Sequence, residues 1–296
     1  MEHNKEYKKG ISAALFTAIL WGFLPIYWKT LDSIDSWVII LYRIVLVGLC
    51  CFLAAYKFYG LKTIKETFKT KGVALRYFFS GLLITANWSI FIWAVNAGHV
   101  IETSIGYYME PLVVSLFGVF IFKERLNKFK KGAMALALLA VIIMVIHFGG
   151  LPWIALSLAT TFAIYAAVKK QFVMPPALSL LFETAFLVPF ALIAIIYLEA
   201  NGLGSFSMLE FQGQYILLLC CGIVTAVPLG LFAFAANRIN LITLGITEYI
   251  APSISLLLGI FLFKEDFDKI QFMACCLIWI GLVFFTIGEL KDAKSK

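Results

Sequence analysis

Apolar runs of about 20 residues follow one another along this chain almost without pause. Each is long enough to cross a hydrocarbon core of about 30 Å as a helix. In hydrocarbon no water can satisfy a free backbone N–H or C=O, so consecutive runs of this kind fold as helices that bond internally. The composition agrees. The chain is 62% hydrophobic and 14% charged over 296 residues, whereas a soluble domain carries about a quarter charged residues. The expected fold is all-α and polytopic, with spans near 11–30, 37–56, 76–97, 102–122, 131–148, 152–169, 176–198, 214–236, 242–263 and 270–288. Only the connectors 57–75 and 199–213 exceed a dozen residues, so no soluble domain is expected. The Ile11–Trp28 run is too long for a cleaved signal peptide.

The net charge of +7 does not point to nucleic acid, because the basic residues fall between the spans. With a cytoplasmic N-terminus, 20 of the 24 Lys and Arg lie on the inner side. That asymmetry places both termini inside and the 199–213 loop outside. The stretch "LKTIKETFKTK" (61–71) puts Leu61, Ile64 and Phe68 on one helical face among lysines. It reads either as an amphipathic helix on the inner membrane surface or as a solvated basic loop. The six cysteines form three adjacent pairs, Cys50–Cys51, Cys220–Cys221 and Cys275–Cys276, inside apolar runs. Their spacing fits neither metal ligation nor a disulfide framework, and they read as small packing residues. No metal site and no cofactor are expected.

A shift of 141 residues lays the chain on itself. Pro111 then meets Pro252, Tyr108 meets Tyr249, Gly118 meets Gly259 and Asn96 meets Asn237. "FIFKE" (120–124) meets "FLFKE" (261–265), and Lys29 meets Lys170. Each half holds five spans, an odd number, so the second half enters the membrane in the opposite sense. The expectation is two inverted five-helix repeats, 1–148 and 149–296. Such repeats commonly build transporters whose substrate site lies near the midplane.

Few charges stand inside the spans, and each costs at least about 2.5–3.5 kcal/mol on insertion scales. They are Arg43, Glu110, Glu183 and Glu248. At the offset, Glu248 corresponds to Tyr107, one helical turn from Glu110. Pro111 and Pro252 leave the carbonyls of Tyr107 and Glu248 without helical partners. A cavity lined by Tyr107, Tyr108, Glu110, Glu248 and Tyr249 would satisfy them, and so would hydrogen bonds to neighbouring helices. Trp21, Asn87 and Trp88 are mid-span and suit a cavity that stacks an organic solute. Pro25, Pro111, Pro228 and Pro252 are expected kinks. Arg43 and Glu183 read as a structural ion pair or as a gating pair.

The stretch "NWSIFIWAVNAGHVIETSIGYYMEPLVVSLFGVFIFKERL" (87–126) closely resembles the RarD branch of the EamA-type drug/metabolite transporter superfamily. "GIVTAVPLGLFAFAANRINLITLGITEYIAPSISLLLGIFLFKE" (222–265) and "AILWGFLPIYWK" (18–29) resemble it as well. The resemblance implies a carrier of the bacterial inner membrane with ten helices in two inverted halves around a central cavity. It implies a small metabolite or drug as substrate, without naming one, and a homodimer is compatible with it. An uncharged polar residue often stands at the Glu248 position in that family.

Three function classes follow. The leading one is a secondary carrier working by alternating access, either coupled to protons through Glu110 and Glu248 or by facilitated diffusion. No GxxxxGK[ST] loop is present to supply ATP drive. A channel or lipid scramblase is the alternative, although no ring of charge or filter loop is visible. An enzyme is not expected, since the spans hold no Asp pair and no HExxH.

Overall fold

A computed structural model describes residues 2–96, 100–147, 149, 153–209, 212–264 and 269–294. Among these residues the chain is helical, with no strand. The helices are α1 (Glu2–Lys29), α2 (Ser36–Lys69), α3 (Val73–Asn96), α4 (Val100–Phe120), α5 (Lys128–His147) and α6 (Trp153–Gln171). They continue as α7 (Pro176–Ala185), α8 (Val188–Ala200), α9 (Gln212–Ala236), α10 (Leu241–Glu248), α11 (Ile250–Leu258) and α12 (Lys269–Lys294). A 3₁₀ turn (Ser205–Ser207) follows α8 and a π turn (Gly259–Phe263) follows α11.

Every expected span lies on helix, and two are interrupted. The seventh breaks into α7 and α8 at Phe186 and Leu187, just before Pro189. The ninth breaks into α10 and α11 at Tyr249, where Pro252 takes the helical donor away from the Glu248 carbonyl. By contrast, α1, α4 and α9 run through Pro25, Pro111 and Pro228 without a break. Among the described residues, seven stretches are long and apolar enough to cross a membrane. Large apolar side chains such as Phe190, Ile193 and Ile196 stand exposed on the outer surface, as lipid contact requires.

The helix pairings can be compared at the sequence offset of 141. At the offset of 141, α1 to α5 correspond to α6, α7 with α8, α9, α10 with α11, and α12. The structure packs α4 on α6 and α1 on α11, α3 on α6 and α1 on α9, and α2 on α9 and α3 on α7. The offset turns one member of each couple into the other. The remaining large contacts, α5 with α12, α2 with α7 and α4 with α10, map onto themselves. The α5–α12 seam is made of Ala133, Ala137, Ala140, Ala274, Cys275 and Gly281, small side chains that let two backbones approach without a hydrophobic drive from water.

Stretch 61–71 is helical through Lys69. Gly60, at φ +75°, turns α2 sharply before it. Phe68 packs at a tilt against Phe182 and Phe186 of the α7 region at 5.8 and 6.0 Å, while Leu61 on the same face stays exposed.

Candidate functional site

The two ends of the α4–α10–α11 unit are packed unequally. α10 lies tightly on the second half of α4. A Cβ on Gly245 would come within 2.5 Å of the Ser115 hydroxyl and 2.7 Å of the Pro111 carbonyl oxygen. One on Gly118 would meet the Ile242 backbone nitrogen at 2.9 Å. The start of α10 is fastened by Glu124, whose carboxylate accepts from the backbone N–H of Leu241 at 2.7 Å and of Ile242 at 2.9 Å. A negative group over a helix N-terminus satisfies free donors and meets the positive end of the helix dipole. Lys170 adds to this clamp, 3.4 Å from Glu124 and donating to the Ile239 carbonyl at 2.6 Å. Glu265, the repeat equivalent of Glu124, lies outside the described residues. Every residue of α10 is buried, and none of α11 is. α11 packs on α1 and makes no comparable contact with α4 among the described residues. α4 and α11 therefore part toward the end of the bundle that carries residues 30–35.

Tyr107 stands on the first half of α4, where the two helices part. It is 45% exposed, yet its neighbours are interior ones. Its ring meets Phe91 of α3 edge-on at 5.5 Å, and Arg43 and Glu110 lie within electrostatic range. Glu110, one turn further along, is half-buried and has no hydrogen bond or ion pair among the described residues. Glu248 lies deeper, at the end of α10. It is buried, its Oε1 has no partner among the described residues, and it lies within electrostatic range of Glu110. The two carboxylates thus lie close enough to interact.

Arg43 projects from α2 between tryptophans. Its guanidinium carbon lies 3.8 Å from the Trp88 ring centroid and 5.4 Å from that of Trp28. Its Nε is buried without a hydrogen-bond partner among the described residues. Glu183 is not its partner, which corrects the expected pairing. Glu183 forms an ion pair with Lys169 and accepts from Ser80 at 2.9 Å, Ser179 at 3.3 Å and Tyr165 at 3.4 Å. Both Lys169 and Glu183 are 2% exposed. The expectation fails because Lys169 reads in sequence as a cytoplasmic loop lysine, whereas α6 continues to Gln171 and carries it inside.

The other expected site residues divide. Trp21 is half-buried and packs on Phe162 at 5.9 Å and Phe232 at 5.6 Å. Phe162 is the residue that corresponds to Trp21 at the offset of 141, so two equivalent positions meet here. Asn87 is buried and donates to the Leu158 carbonyl at 2.8 Å and the Thr161 hydroxyl at 3.0 Å, pinning α3 to α6. Its mirror contact is the Thr17 hydroxyl donating to the Pro228 carbonyl at 3.4 Å. Tyr108 and Tyr249 are placed away from Tyr107 and Glu110. Both are buried in the cluster that joins α4, α5, α10 and α12, with the Tyr108 hydroxyl 2.9 Å from Cys275 Sγ. Adjacent residues on a helix face different ways, so a Tyr-Tyr pair cannot present both rings to one cleft. Trp28 and Phe91 belong beside Arg43 and Tyr107 and escaped the sequence reading; aromatic residues near span ends look like ordinary interfacial anchors.

The model of the EamA-like transporter family matches residues 8–146. The "Uncharacterized transporter YojE" of Bacillus subtilis is 38% identical over 100% of this chain and 99% of its own. "Protein RarD" of Escherichia coli is 33% identical over 97% of this chain and 96% of its own. One crystal structure of another protein, 18% identical, covers 95% of this chain and 98% of its own with a TM-score of 0.72, which shows a shared fold. The full-length likeness to named transporters joins the apolar helices and the buried charges in one conclusion: the chain is a multi-pass membrane protein and belongs to the RarD branch of the EamA-like transporter family.

Proposed function

We propose that this protein carries a small organic solute across a bacterial inner membrane by alternating access. In this reading ten helices form two inverted repeats, 1–148 and 149–296, with both termini in the cytoplasm. The observation that carries it is the unequal packing of α4: closed on α10 at one end, parted from α11 at the other. Helix pairings that exchange under the offset of 141 supply the two-fold relation by which the same parts could close the opposite end. The state described is then open to the outside and sealed inside by the Glu124 clamp. The solute would sit among Tyr107, Glu110, Arg43 and Trp88, above Glu248 and the Trp21–Phe162–Phe232 floor.

Glu110 and Glu248 give the site a means of proton coupling. Two carboxylates in a low-dielectric cleft cannot both ionise cheaply, so loss of a proton is tied to what occupies the site. Linkage requires that solute and proton influence each other's binding equally. The test is flux into proteoliposomes. A carrier shows saturable uptake and counterflow, whereas single-channel conductance steps would replace this reading with a channel. An imposed pH gradient should drive accumulation, and Glu110→Gln should leave the protein folded while abolishing that drive. Accumulation by the Gln variant equal to wild type would remove Glu110 from the coupling.

A further inference from the structure

We infer that Arg43 is the anion-recognition group of the cleft, and hence that the transported solute carries a carboxylate. The inference rests on the carrier reading and names the substrate class of the same site. A guanidinium inside a membrane protein normally has a carboxylate or several carbonyls to meet its charge, because a lone charge there is costly. Arg43 has neither among the described residues: no ion pair, no hydrogen bond and a buried Nε without an acceptor. The Trp88 and Trp28 rings compensate the positive charge from their faces. Neither ring supplies the oxygen acceptors that guanidinium N–H groups ordinarily take, so the hydrogen-bonding capacity of the fork stays unspent among the described residues. Residues of four helices gather around it: Trp28 of α1, Trp88 of α3, Tyr107 of α4 and Cys221 of α9. None of these is a carboxylate. The fork geometry of Arg matches a carboxylate with two parallel bonds, which Lys cannot do. The indole and phenol surfaces around it would cover the apolar body of such a solute.

The location separates two sources of carboxylate. Glu110 lies near Tyr107, one turn beyond it on α4. A solute with an amine as well as a carboxylate could place the amine on Glu110 and the carboxylate on Arg43. A plain organic acid would use Arg43 alone.

The experiment measures binding to purified full-length protein by thermal shift and intrinsic tryptophan fluorescence. The probes share one skeleton: phenylacetate, phenylacetamide, phenethylamine and phenylalanine. A ligand of the folded state raises the melting temperature by mass action. Because Arg43 lies on Trp88, its engagement should change the tryptophan emission, which a purely structural arginine would not do on addition of solute. Phenylacetate or phenylalanine should bind saturably with that change, and the amide and the amine should not. Response to phenylacetate assigns the plain acid, and response to phenylalanine alone assigns the zwitterion. Arg43→Lys should weaken binding about ten- to a hundredfold, the loss of one charge-assisted hydrogen bond. Arg43→Gln should abolish it; should that variant fail to fold, the Lys variant and the wild-type panel decide. Binding of the amine or amide in preference to both acids, no binding of either acid, or undiminished binding by Arg43→Lys overturns the inference. Those results leave the carrier reading standing, since that reading fails only in the liposome assay.

Discussion

Trp28 on α1 and Tyr42 and Arg43 on α2 correspond, at the offset of 141, to Lys169 on α6 and to Glu183 and Thr184 on α7. Both corners bury a cation between equivalent helices at opposite ends of the bundle. In the second half the cation is answered from within: Lys169 meets Glu183, and Ser80, Ser179 and Tyr165 take up the rest of the carboxylate's bonding capacity. In the first half Arg43 has only aromatic faces. A fully answered buried pair adds little net stability over apolar packing, but it locks neighbouring helices in register. An unanswered one keeps its bonding capacity for a partner that comes and goes. The equivalent corners thus differ: one is fastened by its own carboxylate, and the other leaves the hydrogen-bonding capacity of its cation unspent among the described residues.

The comparison can be broken most decisively at the fastened corner. Lys169→Met strands Glu183 as an unpaired buried charge and should cost about 3–5 kcal/mol. A thermal melt in detergent should show it as a large fall in melting temperature. Adding Glu183→Leu should recover most of the loss, because neither charge is then left alone. Arg43→Met strands nothing and should cost no more than about 2 kcal/mol, the value of a desolvated cation–π contact. If the Arg43 variant were the less stable of the two, the distinction between the corners would be lost.

The difference between the two ends of α4 is tested by a smaller change. Gly245→Ala inserts a methyl where Ser115 and Pro111 leave no room, at a cost of about 1–3 kcal/mol typical of overpacking. It should lower the melting temperature and make Ser115→Cys reactive to thiol reagents, as the α4–α10 crossing loosens. A variant as stable and as unreactive as its parent would show that the crossing is not tight. Smallest of all, Tyr108→Phe removes one hydrogen bond to Cys275 and should cost about 1 kcal/mol. Transport should be untouched, since Tyr108 faces the α12 side. A severe transport defect would return that tyrosine to the site.

Much of this was legible before any coordinate. Apolar length located the helices, because the bilayer imposes it. The offset of 141 paired elements that the structure packs in exchange. Pro252 marked the break after Glu248, since the carbonyl it leaves free stands there. What stayed hidden depends on which way a side chain faces. Lys169 and Lys170 are consecutive, yet one enters a buried ion pair and the other clamps the α10 start. Tyr107 and Tyr108 are consecutive, yet one borders the cleft and the other fills a helix seam. A single residue step rotates a helix by about 100°, and only packing decides which of two neighbours turns inward. Glu183 was visible as a costly residue, but nothing in its spacing distinguished Lys169 from Arg43 as its partner.

The proposed cleft between α4 and α11 is open to the outside and closed inside in the resting protein. It is tested most directly by placing Tyr107→Cys or Ser115→Cys in a background with all six native cysteines replaced. Intact cells are then exposed to a membrane-impermeant maleimide, and inside-out vesicles serve as the reverse arm. The cysteine at position 107 should be labelled from outside and not from inside, and the cysteine at position 115 from neither side. Labelling of position 107 from the inside alone, or of position 115 from the inside, would contradict it.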